Sequence, residues 1–171
     1  MTKIALDLGC GLKPKNFFKA EVVHGVDIRD TATENVVVAD LAVEDIPYEN
    51  EFFDFVTAKD FIEHIPRVVY LPQRRNSFVQ LMNEIYRVLK PGGAFLSITP
   101  AFPHGPAWRD PTHVNIITEE TFPLYFDDKH CLASMYGFYG GFRIDSQRWE
   151  GINLITAMVK TKAPEKPGTN N

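Results

Sequence analysis

At 171 residues with 44% apolar side chains, the chain is long enough for one domain with a substantial core. Its formal charge of −4 leaves no basic surplus for a nucleic-acid partner. Two cysteines, Cys10 and Cys131, cannot build a disulfide framework, and no signal peptide, membrane-length apolar run or lipidation motif occurs. A cytoplasmic protein in a reducing compartment, with no membrane partner, is therefore expected; composition says nothing about oligomeric state.

Four short runs open the chain: Lys3–Leu8, Val22–Ile28, Val36–Asp40 and Phe52–Ala58. They are rich in branched and aromatic residues and do not alternate cleanly, which predicts strands buried on both faces. From Ser77 to Leu89 the period changes. Phe78, Leu81, Met82, Ile85, Val88 and Leu89 repeat at helical spacing, with Gln80, Asn83, Glu84, Arg87 and Lys90 on the opposite side. "KPGG" then stops the helix and turns the chain into "AFLSIT", so strand, helix and strand form a parallel crossover.

Pro100 to Pro123 has no sustained period and carries His104, Pro106, Trp108, Asp110 and His113, which predicts a long functional loop. A short helix over Thr118–Phe126, capped by Thr118, follows. "FRIDSQRWE" (142–150) and "NLITAMVKT" (153–161), joined by Gly151-Ile152, predict an antiparallel hairpin at the sheet edge. The fold class is thus α/β: a Rossmann-like, doubly wound, mostly parallel sheet in a single domain over 1–162, with a frayed polar tail over 163–171.

Distinctive residues stand at the ends of the first four strands: "DLGCG", Asp27, Asp40 and "KDFIEH". In open α/β sheets ligands bind at these carboxyl ends. Gly9 and Gly11 permit close backbone approach, and Asp27 is placed to accept hydrogen bonds from two ribose hydroxyls. Asp7, inside an apolar run, must meet either backbone donors or the ligand. Simpler roles compete: Gly9 and Gly11 as an ordinary strand-end turn, Asp60 and Glu63 as helix-start acids, His64 as a packed or capping residue.

"LDLGCG", "HGVDI", "ADLAVEDIPYENEFFDFVTAKDFIEHI" and "EIYRVLKPGGAFLSITP" together resemble the class I S-adenosylmethionine-dependent methyltransferases. They are closest in pattern to a compact, methyltransferase type 11-like group with a short first crossover. The resemblance spans Ile4 to Pro100. It implies a methyltransferase using S-adenosyl-L-methionine, with Asp7, Gly9 and Gly11 along its methionine and ribose, Asp27 on the ribose hydroxyls, Asp40 and Leu41 beside adenine, and Lys59 and Asp60 near the sulfonium. Two departures stand out. Pro14 occupies the place of a third glycine, and "LKPKNFFKAE" is too short for a full first helix, so that helix is expected to be shortened or missing. The chain also opens directly on the first strand, so helices that cover the substrate in many relatives are expected to be absent.

Methyl transfer from a sulfonium needs alignment and exclusion of water, and a general base only where the nucleophile must lose a proton. His104, Asp110 and His113 are the candidates for that base at the pocket mouth. The same His-x5-Asp-x2-His spacing offers three metal ligands, but a base is preferred and no metal is assigned. A small-molecule, glycan or other modest acceptor is expected. Two other functions are weighed: a non-catalytic cofactor-binding or partner module, and a nicotinamide-dependent oxidoreductase, which Pro14 disfavours.

Overall fold

In the computed structural model, which describes residues 2–70 and 72–163, one seven-stranded sheet organises the chain. Its strands are β1 (Ile4–Leu8), β2 (Val22–Asp27), β3 (Val36–Val38), β4 (Phe53–Lys59), β5 (Leu89–Pro100), β6 (Phe142–Glu150) and β7 (Asn153–Lys160). The order is β3-β2-β1-β4-β5-β7-β6; the first five pair in parallel, and β7 runs antiparallel to both β5 and β6. The hairpin expected at the edge therefore lies with its second strand innermost. Of the predicted tail, residues 164–171 lie outside the described residues.

Helix α1 (Ser77–Val88) presents Leu81, Met82, Ile85 and Val88 to Leu6, Leu8, Val56 and Phe95 of the sheet. Phe78, Phe122, Phe126, Phe138 and Phe142 extend this core towards β6. The helix ends at Val88, earlier than "KPGG" predicts. Leu89 is already extended and pairs with Phe53, and the next register point on β5 is Ala94, so Lys90–Gly93 form a bulge inside the strand.

The side of α1 read as polar is also covered. Asn83 and Glu84 are buried, and each has its hydrogen bonds met: Asn83 donates to the Gly137 carbonyl and accepts from the Tyr139 amide, while Glu84 accepts from the Ile46 amide and pairs with Arg87. Periodicity locates polar residues but cannot tell a solvated face from one buried beneath loops that supply partners.

No helix joins β1 to β2; residues 10–20 cross the sheet as a loop. Pro14 and Cys10 sit over Gly25 of β2, where an added Cβ would lie 2.7 Å from Pro14 Cγ and 2.5 Å from Cys10 Sγ. Phe18 stacks on Phe55 of β4 at 4.4 Å between ring centroids. The proline that breaks the glycine pattern thus covers the sheet in place of a helix.

The long loop contains one short helix, α2 (Pro106–Arg109), which Pro106 starts with its pre-set φ. The predicted Thr118–Phe126 helix contracts to α3 (Thr121–Tyr125), because Thr118 and Thr121 form a side-chain turn ahead of it and no side chain caps its first turn. Asn115 fastens the loop to the segment after β4: its amide and that of Val114 donate to the Glu63 carbonyl, and its side chain donates to the Ile62 carbonyl.

Candidate functional site

The carboxyl ends of β1, β2 and β4 meet at one cleft of about 500 Å³, lined by Gly9, Asp27, Asp40, Leu41, Asp60 and Phe61 among others. The glycine turn closes one side. Gly9 and Cys10 amides both donate to the Val26 carbonyl, which draws the turn over β2. Gly9 has φ +63°, and a Cβ there would lie 2.3 Å from Phe61 Cδ2, so only glycine lets this ring stand against the turn. Gly11, also at positive φ, donates its amide to Asp27 Oδ2 at 2.8 Å.

Asp27 ends β2 and is 5% exposed. Burial disfavours its charge, but the Arg29 guanidinium and the Arg29 and Gly11 amides outweigh that and hold its carboxyl below the usual range. Arg29 Nε reaches Oδ1 at 2.9 Å from a side chain that is 65% exposed. This ion pair was not foreseen: Arg29 occupies the carboxylate at the edge expected to take ribose hydroxyls, yet is free to swing into solvent.

Asp40 and Leu41 follow β3 as expected. Asp40 accepts from the Ala42 amide, and Leu41 is buried in the cleft wall. Lys59 and Asp60 end β4 as a 3.5 Å ion pair; Asp60 has φ +49°, an unusual backbone for a non-glycine residue, and donates its amide to the Ile98 carbonyl.

Asp7 lies behind the turn, and its Oδ2 accepts from the Lys15 amide at 2.8 Å. The backbone donor expected for it comes from "LKPK" rather than from the glycines. Burial pushes its carboxyl up to about 6, against the Lys15 hydrogen bond and the charges of Lys15 and Lys59. An acid whose folded-state pKa is raised opposes folding once ionised, so this cost grows through pH 4–6 and is complete above. Asp7→Asn is therefore expected to raise Tm by about 4–8 °C at pH 8 (about 2 kcal/mol) and to leave it unchanged near pH 4, as followed by thermal unfolding at both pH values.

The sequence candidates at the mouth divide. His113 Nε2 lies 3.9 Å from Asp110 Oδ2, and its ring meets the His64 ring edge-on at 4.8 Å between centroids. Asp110 also accepts from the Thr112 hydroxyl at 2.6 Å; that bond is the main reason its carboxyl is held below the usual range. His104 instead packs edge-on against Trp149 at 4.9 Å, and no hydrogen bond or ring contact joins it to Asp110 or His113. Its place is taken by two residues read as structural: His64, whose Nδ1 is 3.0 Å from Thr112 Oγ1, and the buried Glu63, which accepts from Thr99 Oγ1 at 2.8 Å. Burial raises the Glu63 carboxyl above its ordinary range. His64 and Thr112 both line the cleft. The sequence does not reveal this cluster, because the 3-10 turn Ile62–His64 directs Glu63 inward and only the returning loop brings His113 to His64. A second cavity of about 530 Å³, between α1 and α3, shares no lining residue with the cleft.

Residues 6–97 match the family described as the methyltransferase domain. Over 174 aligned positions the chain is 30% identical to the demethylmenaquinone methyltransferase of Listeria welshimeri, covering 91% of this chain and 67% of that protein; the protein of that name from Listeria monocytogenes matches to the same extent. Two solved structures share the fold. The PH0226 protein of Pyrococcus horikoshii superposes with TM-score 0.65 at 21% identity over 94% of this chain and 83% of that one. A SAM dependent methyltransferase from Archaeoglobus fulgidus does so with TM-score 0.61 at 17% identity over 94% and 86%.

Proposed function

From the premise that this chain belongs to the methyltransferase domain family, and is an S-adenosylmethionine-dependent methyltransferase, we propose that it methylates a small molecule with a hydroxyl-bearing or otherwise electron-rich aromatic ring. The observation that carries the reading is the cleft itself, with Asp27 at the end of β2 bonded to Gly11 of a turn in which Gly9 leaves no room for a side chain. When bound, S-adenosylmethionine supplies a methyl group already activated by its sulfonium.

The chain's own residues have fitting tasks. Asp27 receives the two ribose hydroxyls as the exposed Arg29 side chain moves aside, two charge-assisted hydrogen bonds replacing the ion pair. Asp40 and Leu41 border the base, Gly9 and Gly11 pass the sugar and methionine along their backbone, Asp7 supports the turn, and Lys59 and Asp60 close the end nearest the sulfonium. Asp110 and His113, on the returning loop, stand where an acceptor enters; His104, held on Trp149, forms the outer rim. Phe102 and Trp108 expose apolar surface on the same loop, which suits an aromatic acceptor, and the name of the Listeria relatives points to the same class.

S-adenosylhomocysteine is expected to raise Tm by several degrees at millimolar concentration, whereas NAD leaves it unchanged. Incubation with methyl-labelled S-adenosylmethionine and a panel of reduced quinones and phenols is expected to label at least one acceptor. Labelling confined to sugars or peptides overturns the acceptor class, and a Tm shift with NAD alone overturns the cofactor assignment.

A further inference from the structure

We propose that Glu63, His64 and His113 form a binding site for a divalent transition-metal ion, zinc by preference, at the inner wall of the cleft. One ligand atom from each lies within 4.8 Å of the others. Donors 2.0–2.1 Å from a tetrahedral zinc stand about 3.4 Å apart, so small side-chain rotations complete the geometry.

Two buried polar atoms in this cluster have no hydrogen-bond partner among the described residues: Glu63 Oε1 and His113 Nδ1. Glu63 is 1% exposed and the His113 side chain 10%. Buried polar atoms are rarely left without a partner, and two in one cluster point to a guest that accepts lone pairs from both.

The surrounding hydrogen bonds leave the right atoms free. Thr112 has a single hydroxyl proton, which it donates to Asp110 Oδ1 at 2.6 Å. The 3.0 Å contact with His64 is then donated by His64 Nδ1–H, so His64 Nε2 carries a lone pair. His113 turns Nε2 towards Asp110 Oδ2, which leaves Nδ1 for the site. Thr99 secures Glu63 through Oε2 and leaves Oε1. The Thr112 hydroxyl on His64, the Thr99 hydroxyl on Glu63 and the Asp110 carboxylate 3.9 Å from His113 stand where the outer contacts of a metal centre would. Two imidazoles and one carboxylate suit zinc or a neighbouring first-row ion rather than magnesium or calcium. His64 and Thr112 also line the cleft, so the ion would sit beside the methyl donor; that part of the reading rests on the proposed methyl transfer.

The test uses the full chain, stripped with EDTA and titrated with Zn2+ by calorimetry and with Co2+ by visible absorption. One ion per chain is expected, with a Kd below about 1 µM and the absorption of a four- or five-coordinate Co2+ site. Glu63→Gln and His113→Phe are each expected to weaken Zn2+ at least 100-fold, and Thr112→Val about 10-fold. S-adenosylhomocysteine binding is measured on every sample as the check on folding. Absence of Zn2+ and Co2+ binding in a wild-type protein that still takes S-adenosylhomocysteine overturns the metal site alone, as does Zn2+ binding that all three variants retain. Failure of the wild type to take S-adenosylhomocysteine overturns the methyl-transfer reading instead.

Discussion

Asp27→Ala is expected to raise the Kd for S-adenosylhomocysteine about 100-fold, while Arg29→Ala lowers it several-fold. The first figure follows from two hydrogen bonds between ribose hydroxyls and an ionised carboxylate, together worth about 3 kcal/mol. The second follows from the 2.9 Å contact between Arg29 Nε and Asp27 Oδ1, which the ligand must displace. Deleting Arg29 removes that competitor, and because Asp27 is only 5% exposed the variant is also expected to lose some stability, its carboxylate then held by the Arg29 and Gly11 backbone amides alone. The opposite signs make the pair of variants decisive. Calorimetric titration of both, with unchanged affinity in Asp27→Ala, would remove Asp27 from the ribose site; a large loss in Arg29→Ala would mean that the guanidinium binds the ligand rather than opposing it.

Glu84→Ala is expected to cost about 3–5 kcal/mol and to lower Tm by about 10 °C. Glu84 is buried on α1 and receives Arg87 through 2.6 Å and 2.9 Å bonds while accepting the Ile46 amide at 3.0 Å. Arg87 in turn donates to the Ile46 and Tyr48 carbonyls and to Asn50. These two side chains fasten the connection between β3 and β4, which has no helix of its own, to the back of α1. Removing the carboxylate leaves a half-buried guanidinium without its charge partner and an amide without an acceptor. Hydrogen exchange should show faster exchange at Ile46 and Tyr48 well before global unfolding. By contrast, Glu150→Ala, which removes a surface pair at 3.9 Å, is expected to change stability by less than about 0.5 kcal/mol. Equal losses in the two variants would contradict the assigned role of Glu84.

The elements marked by a branched apolar run or a helical period were legible in the sequence. Strands β1, β2, β4, β6 and β7 and helix α1 fall within a residue or two of their expected limits, because branched runs and 3.6-residue spacing report directly on burial. Gly9, Asp27, Asp40, Leu41 and Asp60 share one cleft for another reason: each stands at or just past a strand end, and parallel topology brings strand ends together. What could not be read were contacts between segments far apart in the chain. The pairing of His64 with His113 and the burial of Asn83 and Glu84 each depend on where a loop returns, whereas the Arg29–Asp27 pair, two residues apart, depends on the rotamer of an exposed side chain. His104, six residues before Asp110, shares its loop but not its surroundings, since α2 intervenes and Trp149 captures the ring.

The strand order has a consequence for how the chain is made. β7 lies between β5 and β6, so β6 has no strand neighbour and β5 keeps an open edge until Asn153–Lys160 are available. During synthesis the parallel half can assemble as soon as β5 is out, but its exposed edge, with buried Phe95 and Ile98 on that strand, waits for the last strand to emerge. Open β edges recruit other chains, so nascent or truncated forms ending before residue 153 should need a chaperone to stay apart, and closure by β7 is the event that converts an aggregation-prone half-sheet into a finished one.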